Sequence, residues 1–234
     1  MTQTLSSSMG TLYVVATPIG NLEDVSSRAI RVLQEVELVL CEDTRVTRRL
    51  LERYAIKAKT ASLHQHTDER TLDRFVDLLR QGQHLALVTD AGTTGISDPG
   101  GKFIDVCWKS LSDFQVIPVP GPCAAVTALS VSGFPADSFT FLGFPPHKKG
   151  RESFFRELAK REDTVVFYES THRIEKTMQS LSDCIPERLI LLARELTKVH
   201  ETLYRGKPAE VTAVLKAGSL RGEFVIVIAP KNYV

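Results

Sequence analysis

Leu85-Ala86-Leu87-Val88-Thr89-Asp90-Ala91-Gly92-Thr93-Thr94-Gly95-Ile96-Ser97-Asp98-Pro99-Gly100-Gly101 is the stretch on which the reading of the fold turns. Its apolar start, closed by a glycine-rich loop, reads as a buried strand. The loop is too long, and its side chains too small, for a tight turn alone. Phe103, Val106 and Cys107 then recur at helical spacing, so the whole is strand, loop, helix. Glycines let backbone approach a ligand closely, and open amides beside Asp90 suit the amino-acid end and ribose of a nucleoside. A phosphate loop is the competing reading, but no Gly-Lys-Ser/Thr is present to aim a lysine at phosphates.

Working outward, the same alternation recurs. Leu12 to Ala16 reads as a strand, Val25, Ala29, Val32, Leu33 and Val36 as one helix face, and Leu38 to Cys41 as a second strand. A basic helix follows with Val46, Leu50, Leu51 and Tyr54 inward, then a helix over 69–81 with Leu72, Phe75, Val76 and Leu79 inward, and a strand at Val116 to Val119. Strands separated by helices predict a mostly parallel sheet covered on both faces. Pro120-Gly121-Pro122 breaks the pattern, which places a domain boundary between 10–119 and 120–234.

Pro122 then suits the first turn of a helix running to Ser132, closed by Gly133. Strands are predicted at Phe139 to Leu142, Thr164 to Tyr168, Leu189 to Ala193, Thr202 to Arg205 and Phe224 to Ile228, with helices near 151–160, 172–182 and 208–216. The second half is α/β with a mixed sheet. No internal repeat or low-complexity linker is seen, so the halves are expected to pack rigidly with a cleft between them.

With 234 residues and 43% hydrophobic content, the chain can bury a sizeable core. No apolar run approaches the ~20 residues of a membrane-spanning helix, and Met1 to Met9 has no secretion-signal pattern and reads as a loose tail. Cys41, Cys107, Cys123 and Cys184 form no C-x-x-C pair, as expected of reduced cytoplasmic thiols with no metal site.

Net charge is +1, but its distribution is uneven: residues 1–119 carry 13 basic and 15 acidic side chains, and residues 120–234 carry 16 and 13. Two basic clusters stand out. Arg45, Arg48, Arg49, Arg53, Lys57 and Lys59 face one glutamate, Glu52; Lys148, Lys149, Arg151, Arg156, Lys160 and Arg161 face Glu152 and Glu157. Solvated helix faces account for such runs as readily as phosphate contacts do.

Four further loops each follow an apolar run: Thr17-Pro18-Ile19-Gly20-Asn21-Leu22, Pro120-Gly121-Pro122, Phe167-Tyr168-Glu169-Ser170 and Ala193-Arg194-Glu195-Leu196-Thr197-Lys198. The first holds one glycine where a dinucleotide fingerprint needs three, which argues against a Rossmann site despite Glu42 and Asp43 at the next strand end. Ser170 or Thr171 reads as a helix cap, His172 as a structural histidine or a base, and Arg194, Glu195 and Lys198 as a salt-bridged strand exit or part of a site.

Taken in order, the five loops resemble the tetrapyrrole methylase superfamily, and within it the branch acting on small-subunit ribosomal RNA; the resemblance spans residues 10–229. It implies two α/β domains with a cofactor cleft between them, distinct from Rossmann methyltransferases. It further implies S-adenosylmethionine-dependent 2'-O-methylation of a cytidine ribose in 16S rRNA. Carried onto this sequence, it places Pro18, Asp90, Ala91, Gly92, Thr93, Cys123, Ala124, Glu169 and Leu196 at the cofactor. The two basic clusters become RNA contacts, with Arg45, Arg48, Arg49, Lys148, Lys149 and Arg151 as the residues expected there.

Asp43 and Glu195 are the carboxylates expected to take the proton, and no metal is needed. A cytoplasmic homodimer is the expected state. Relatives commonly have proline where Thr94 stands, a departure expected to loosen the loop, and many carry a C-terminal helical tail beyond the point where this sequence ends. A precorrin-type C-methyltransferase and a non-catalytic nucleotide-binding regulator are the alternatives.

Overall fold

A computed structural model describes residues 9–233; Met1 to Ser8, most of the expected N-terminal tail, lie outside the described residues. Two compact units divide between Cys123 and Ala124, whereas the sequence put the division ahead of the Pro-Gly-Pro turn.

The first unit runs β1 (Thr11–Val15), α1 (Ser27–Glu35), β2 (Leu38–Cys41), α2 (Thr44–Arg53), β3 (Thr60–Ser62), α3 (Glu69–Arg80), β4 (Leu85–Val88), α4 (Gly100–Ser110) and β5 (Gln115–Val119). The strands lie in the order β3-β2-β4-β1-β5, and every pairing is parallel. Both faces are buried, as a parallel sheet requires. One face packs Leu72, Phe75, Leu79, Phe103 and Cys107 of α3 and α4 over Leu12, Leu40 and Leu85. The other packs Ala29, Val32, Leu33, Leu50 and Leu51 of α1 and α2 over Val15, Val39 and Val88. Helices start where side chains accept the free amides: Ser26 from Ala29 N, Asp43 from Arg45 N and Asp68 from Thr71 N.

Two sequence expectations fail here. β3 was not predicted, and Val46 points outward, 37% exposed, because Thr47, Leu50 and Leu51 set the buried phase of α2.

The second unit contains α5 (Ala124–Ser132), β6 (Phe139–Phe141), α6 (Arg151–Lys160), β7 (Thr164–Ser170), α7 (Ile174–Cys184), β8 (Ile190–Arg194), β9 (Thr202–Gly206), α8 (Pro208–Ala217) and β10 (Glu223–Ile228). Its sheet, β6-β7-β10-β8-β9, is mixed: β6 is parallel to β7 and the other pairs are antiparallel. Alternate strand residues, among them Phe167, Leu192 and Ile226, pack against α6, α7 and α8. Neither Ser170 nor Thr171 caps α7, whose first turn has no side-chain cap; the Thr171 hydroxyl instead bridges the carbonyl and amide of Gly222 at 2.6 and 2.7 Å.

All four cysteines are free. Burial raises the Cys41 thiol pKa and pushes that of Cys107 up to about 12, so both stay protonated and act as small core residues. Among the described residues no helix is long and apolar enough to cross a membrane.

Candidate functional site

In the first unit, parallel pairing brings the C-terminal ends of β1, β2, β4 and β5 to one edge of the sheet. From adjacent strands β1 and β4 the chain leaves toward opposite faces, since α1 and α4 belong to opposite core layers. That divergence is a topological switch point, where open α/β sheets form a ligand crevice.

The two loops are joined to each other there. Thr17 N donates to Gly92 O at 2.9 Å and Gly92 N to Thr17 O at 3.1 Å. Gly92 has φ +91°, and a Cβ built on it would lie 3.2 Å from Ile19 Cγ2 and 3.7 Å from Pro122 O. Only glycine takes this bend without strain. The Thr93 hydroxyl donates to Pro122 O at 3.0 Å, tying the Pro-Gly-Pro turn to the same place, and Pro18, next to Thr17 in the chain, is buried. Asp98 holds the far side, accepting from Gly95 N at 2.6 Å and Gly100 N at 2.7 Å.

Thr94 does not loosen this loop. Its buried hydroxyl donates to Val15 O at 2.8 Å and accepts from Thr89 N at 3.0 Å, fastening the loop to the ends of β1 and β4. A proline could make neither bond; threonine replaces backbone rigidity with two hydrogen bonds.

Asp90 is half-buried, and its Oδ1 accepts from Asp43 N at 3.1 Å; the other oxygen has no partner among the described residues. Burial, then the charge of nearby Asp43, raises its pKa against the hydrogen bond from the Asp43 amide. This is an acceptor open to the hydroxyl or ammonium group of a ligand, beside exposed Ala91 and the glycine turn. A nucleoside with an amino-acid tail fits that donor and acceptor set. Cys123 ends this unit, half-buried.

Asp43 caps α2 and is gripped by Arg45, whose Nη2 lies 2.6 Å from Oδ2. That hydrogen bond, with the Arg45 amide, holds its pKa down to about 2. Its neighbour Glu42 moves the other way, raised by burial and by the charges of Asp90 and Asp98.

In the second unit the ends of β7, β8 and the start of β10 form a second cluster. Ala124 opens α5, whose Ala125 amide donates to the Tyr168 hydroxyl at 3.3 Å. Leu196 is buried between Glu195 and Thr197, both in the left-handed region at φ 51° and 63°, a bend that non-glycine residues adopt only under constraint. The constraint is visible: Glu195 Oε1 accepts from Lys198 Nζ at 2.9 Å and from Glu223 N at 2.8 Å. Burial pushes the Glu195 pKa up, but Lys198 and the Glu223 amide outweigh it and leave it below the usual carboxylate range. Arg194 is buried and donates to the carbonyls of Arg221 and His200, so it belongs to the strand exit. His172 is exposed.

Glu169 is fully enclosed. Oε1 accepts from Ser170 N at 2.8 Å and is ion-paired with Arg173 Nε at 2.8 Å, and Oε2 accepts from the Thr177 hydroxyl at 2.6 Å and lies 3.7 Å from Arg151 Nη1. Its carboxylate is spent inside the unit, and the residue as a whole is 1% exposed in β7, paired with Phe224 of β10. For the same reason Arg151 is not an RNA contact. It is 5% exposed, with its guanidinium turned inward to Glu169, Thr177 and Pro146 O. The long polar side chain reads as surface in sequence because its partner comes from a distant strand.

The remaining basic residues do lie outside. Arg48, Arg49, Lys148 and Lys149 are exposed without an ion-pair partner among the described residues, while Arg45 is shared with Asp43. No group of three or more His, Cys, Asp or Glu among the described residues is placed to hold a metal.

The chain is 42% identical over 230 residues to "Ribosomal RNA small subunit methyltransferase I" of Escherichia coli, covering 97% of this chain and 80% of that one. It is 40% identical over 224 residues to the protein of the same name in Thermotoga maritima, covering 96% and 100%. Cobalt precorrin-4 methyltransferase shares the fold at a TM-score of 0.71, with 16% identity over 94% of each chain. The sequence model of the Tetrapyrrole (Corrin/Porphyrin) Methylases matches residues 11–212, and with it the chain belongs to that family of methyltransferases.

Proposed function

We propose that this chain transfers a methyl group from S-adenosylmethionine to the ribose 2'-hydroxyl of a cytidine in 16S rRNA of the small ribosomal subunit. The observation that carries the methyl-donor part is the switch point of the first sheet, where the Gly92 turn lies beside an Asp90 carboxylate with one free oxygen. The relatives' printed name supports ribosomal RNA as the acceptor.

In this reading Pro18, Asp90, Ala91, Gly92, Thr93 and Cys123 of the first unit hold the donor. Ala124, Glu169 and Leu196 of the second unit are the other residues that the family resemblance assigns to the cofactor. When bound, S-adenosylmethionine supplies a methyl group activated by its sulfonium. The chain's own task is alignment of three atoms and acceptance of one proton. Asp43 and Glu195 are the proposed acceptors. Both stay ionised because their partners hold them low, which makes them weak bases; a hydroxyl becomes strongly acidic only as its new bond to carbon forms, so alignment carries most of the rate. Arg45, Arg48, Arg49, Lys148 and Lys149 contact phosphates, and the protein works as a cytoplasmic homodimer.

The test is methyl transfer from labelled S-adenosylmethionine to unmethylated small subunits, with a precorrin in a parallel reaction. Label on a cytidine ribose is expected; label on the precorrin alone, or on neither, overturns the reading. Asp43→Asn and Glu195→Gln should each slow single turnover by less than the ~100-fold of a strong general base while leaving cofactor affinity unchanged.

A further inference from the structure

Outside that site, the first unit carries an open hollow of about 830 Å³, within the ~300–1,000 Å³ of ligand sites. It lies along β3, the outermost strand of the sheet, whose only neighbour is β2. Leu51 and Phe75 contribute to its apolar floor. Three cations from three separate elements stand around it: Arg48 from α2, Lys59 at the entry to β3 and Arg74 from α3. One carboxylate, Glu52, accompanies them.

Some surface cations of this unit are neutralised locally, as in Arg31–Glu35, Arg80–Asp77 and Lys109–Asp105, and others, such as Arg49, have no ion-pair partner among the described residues but do not line the hollow. Arg48, Lys59 and Arg74 have no ion-pair partner among the described residues, although they converge on one hollow. Three unpaired like charges repel one another, and a polyanion laid between them relieves that repulsion and releases its own counterions. The hydroxyl of Thr60 adds a donor on the same lining.

We propose that the β3 hollow is an RNA-binding groove, taking the sugar-phosphate backbone of a single-stranded stretch of ribosomal RNA across Arg48, Lys59 and Arg74. The proposal rests on the reading of the chain as a ribosomal RNA methyltransferase and adds a contact surface to it. A peptide strand pairing with the free edge of β3 is the competing occupant. Three cations against one carboxylate favour the nucleic acid.

The test uses the full chain and purified small subunits. Lys59→Gln with Arg74→Gln removes two charges from exposed positions. Subunit binding should weaken about tenfold or more, and the slope of log affinity against log salt should fall by roughly one unit for each lost phosphate contact. S-adenosylmethionine binding, followed by calorimetry, should not change. If the unaltered chain neither binds nor methylates small subunits, the functional reading itself falls. If the unaltered chain binds and methylates but the double variant keeps its affinity and salt slope, the groove is refuted and the reading stands. A photo-cross-linking amino acid in place of Thr60 should label ribosomal RNA; recovery of the label on a ribosomal protein instead would establish a peptide at the β3 edge and overturn the proposal.

Discussion

Replacing Glu169 by Gln should damage the stability of this protein far more than its affinity for a methyl donor. The carboxylate is fully buried between two guanidinium groups whose side chains are 6% and 14% exposed, so solvent screens the interaction little. It accepts two hydrogen bonds, from Ser170 N and Thr177 Oγ1, and forms an ion pair with Arg173 Nε at 2.8 Å. The substitution keeps the volume, removes the charge and turns an amide N–H₂ toward a group that donates. Arg151 is then left buried without a counter-charge, and its Nε already has no acceptor. Removing one partner of a buried ion pair costs about 3–5 kcal/mol, a large share of the ~5–15 kcal/mol that holds a typical domain.

Urea denaturation followed by circular dichroism reads this loss directly. Arg151→Met combined with Glu169→Gln should lose less than the sum of the two single losses, because the apolar side chain removes the orphaned charge. A loss below about 1 kcal/mol for Glu169→Gln would refute the argument. So would normal stability with abolished S-adenosylmethionine binding, which would assign the carboxylate to the ligand.

Thr94→Val should cost about 2–4 kcal/mol in thermal or urea unfolding, since it leaves both Val15 O and Thr89 N buried without a partner at ~1–3 kcal/mol each; a cost under 1 kcal/mol would mean that water reaches those groups. Gly92→Val should weaken S-adenosylmethionine binding by about tenfold or more in calorimetry, whereas Gly133→Ala, also at positive φ but with nothing within 4 Å of the added Cβ, should alter stability alone. Asp43 has its pKa lowered from 3.8 to about 2, so its contribution is present above pH ~4 and lost as pH falls toward 2. Asp43→Asn should therefore flatten the acid limb of the unfolding profile between those pH values and leave its neutral and alkaline parts parallel to the parent.

Elements with strong local signals could be read from the residues one after another. β2 at Leu38–Cys41 and α6 at Arg151–Lys160 have the predicted bounds, because an apolar run and a helical period are properties of neighbouring residues. The loop order and the glycine at position 92 were legible for the same reason, and they were enough to indicate the family.

What depended on residues far apart in sequence was not. Thr60-Ala61-Ser62 carries almost no apolar signal and is a strand only because β2 pairs with it. Arg74 belongs to no basic cluster in sequence, and becomes one wall of the β3 hollow only because α2 and α3, on opposite faces of the sheet, both reach its β3 edge. Arg151 sits in a basic run that looks solvated; Glu169 draws it into the interior and turns a residue expected at phosphates into part of a core. Thr94, read as a loosening substitution, proves to be a fastening because its two partners lie at the ends of separate strands. Local periodicity determines which segments become helix and strand, but a charge or hydroxyl acquires its role from the groups that meet it, and that meeting exists only in the folded chain.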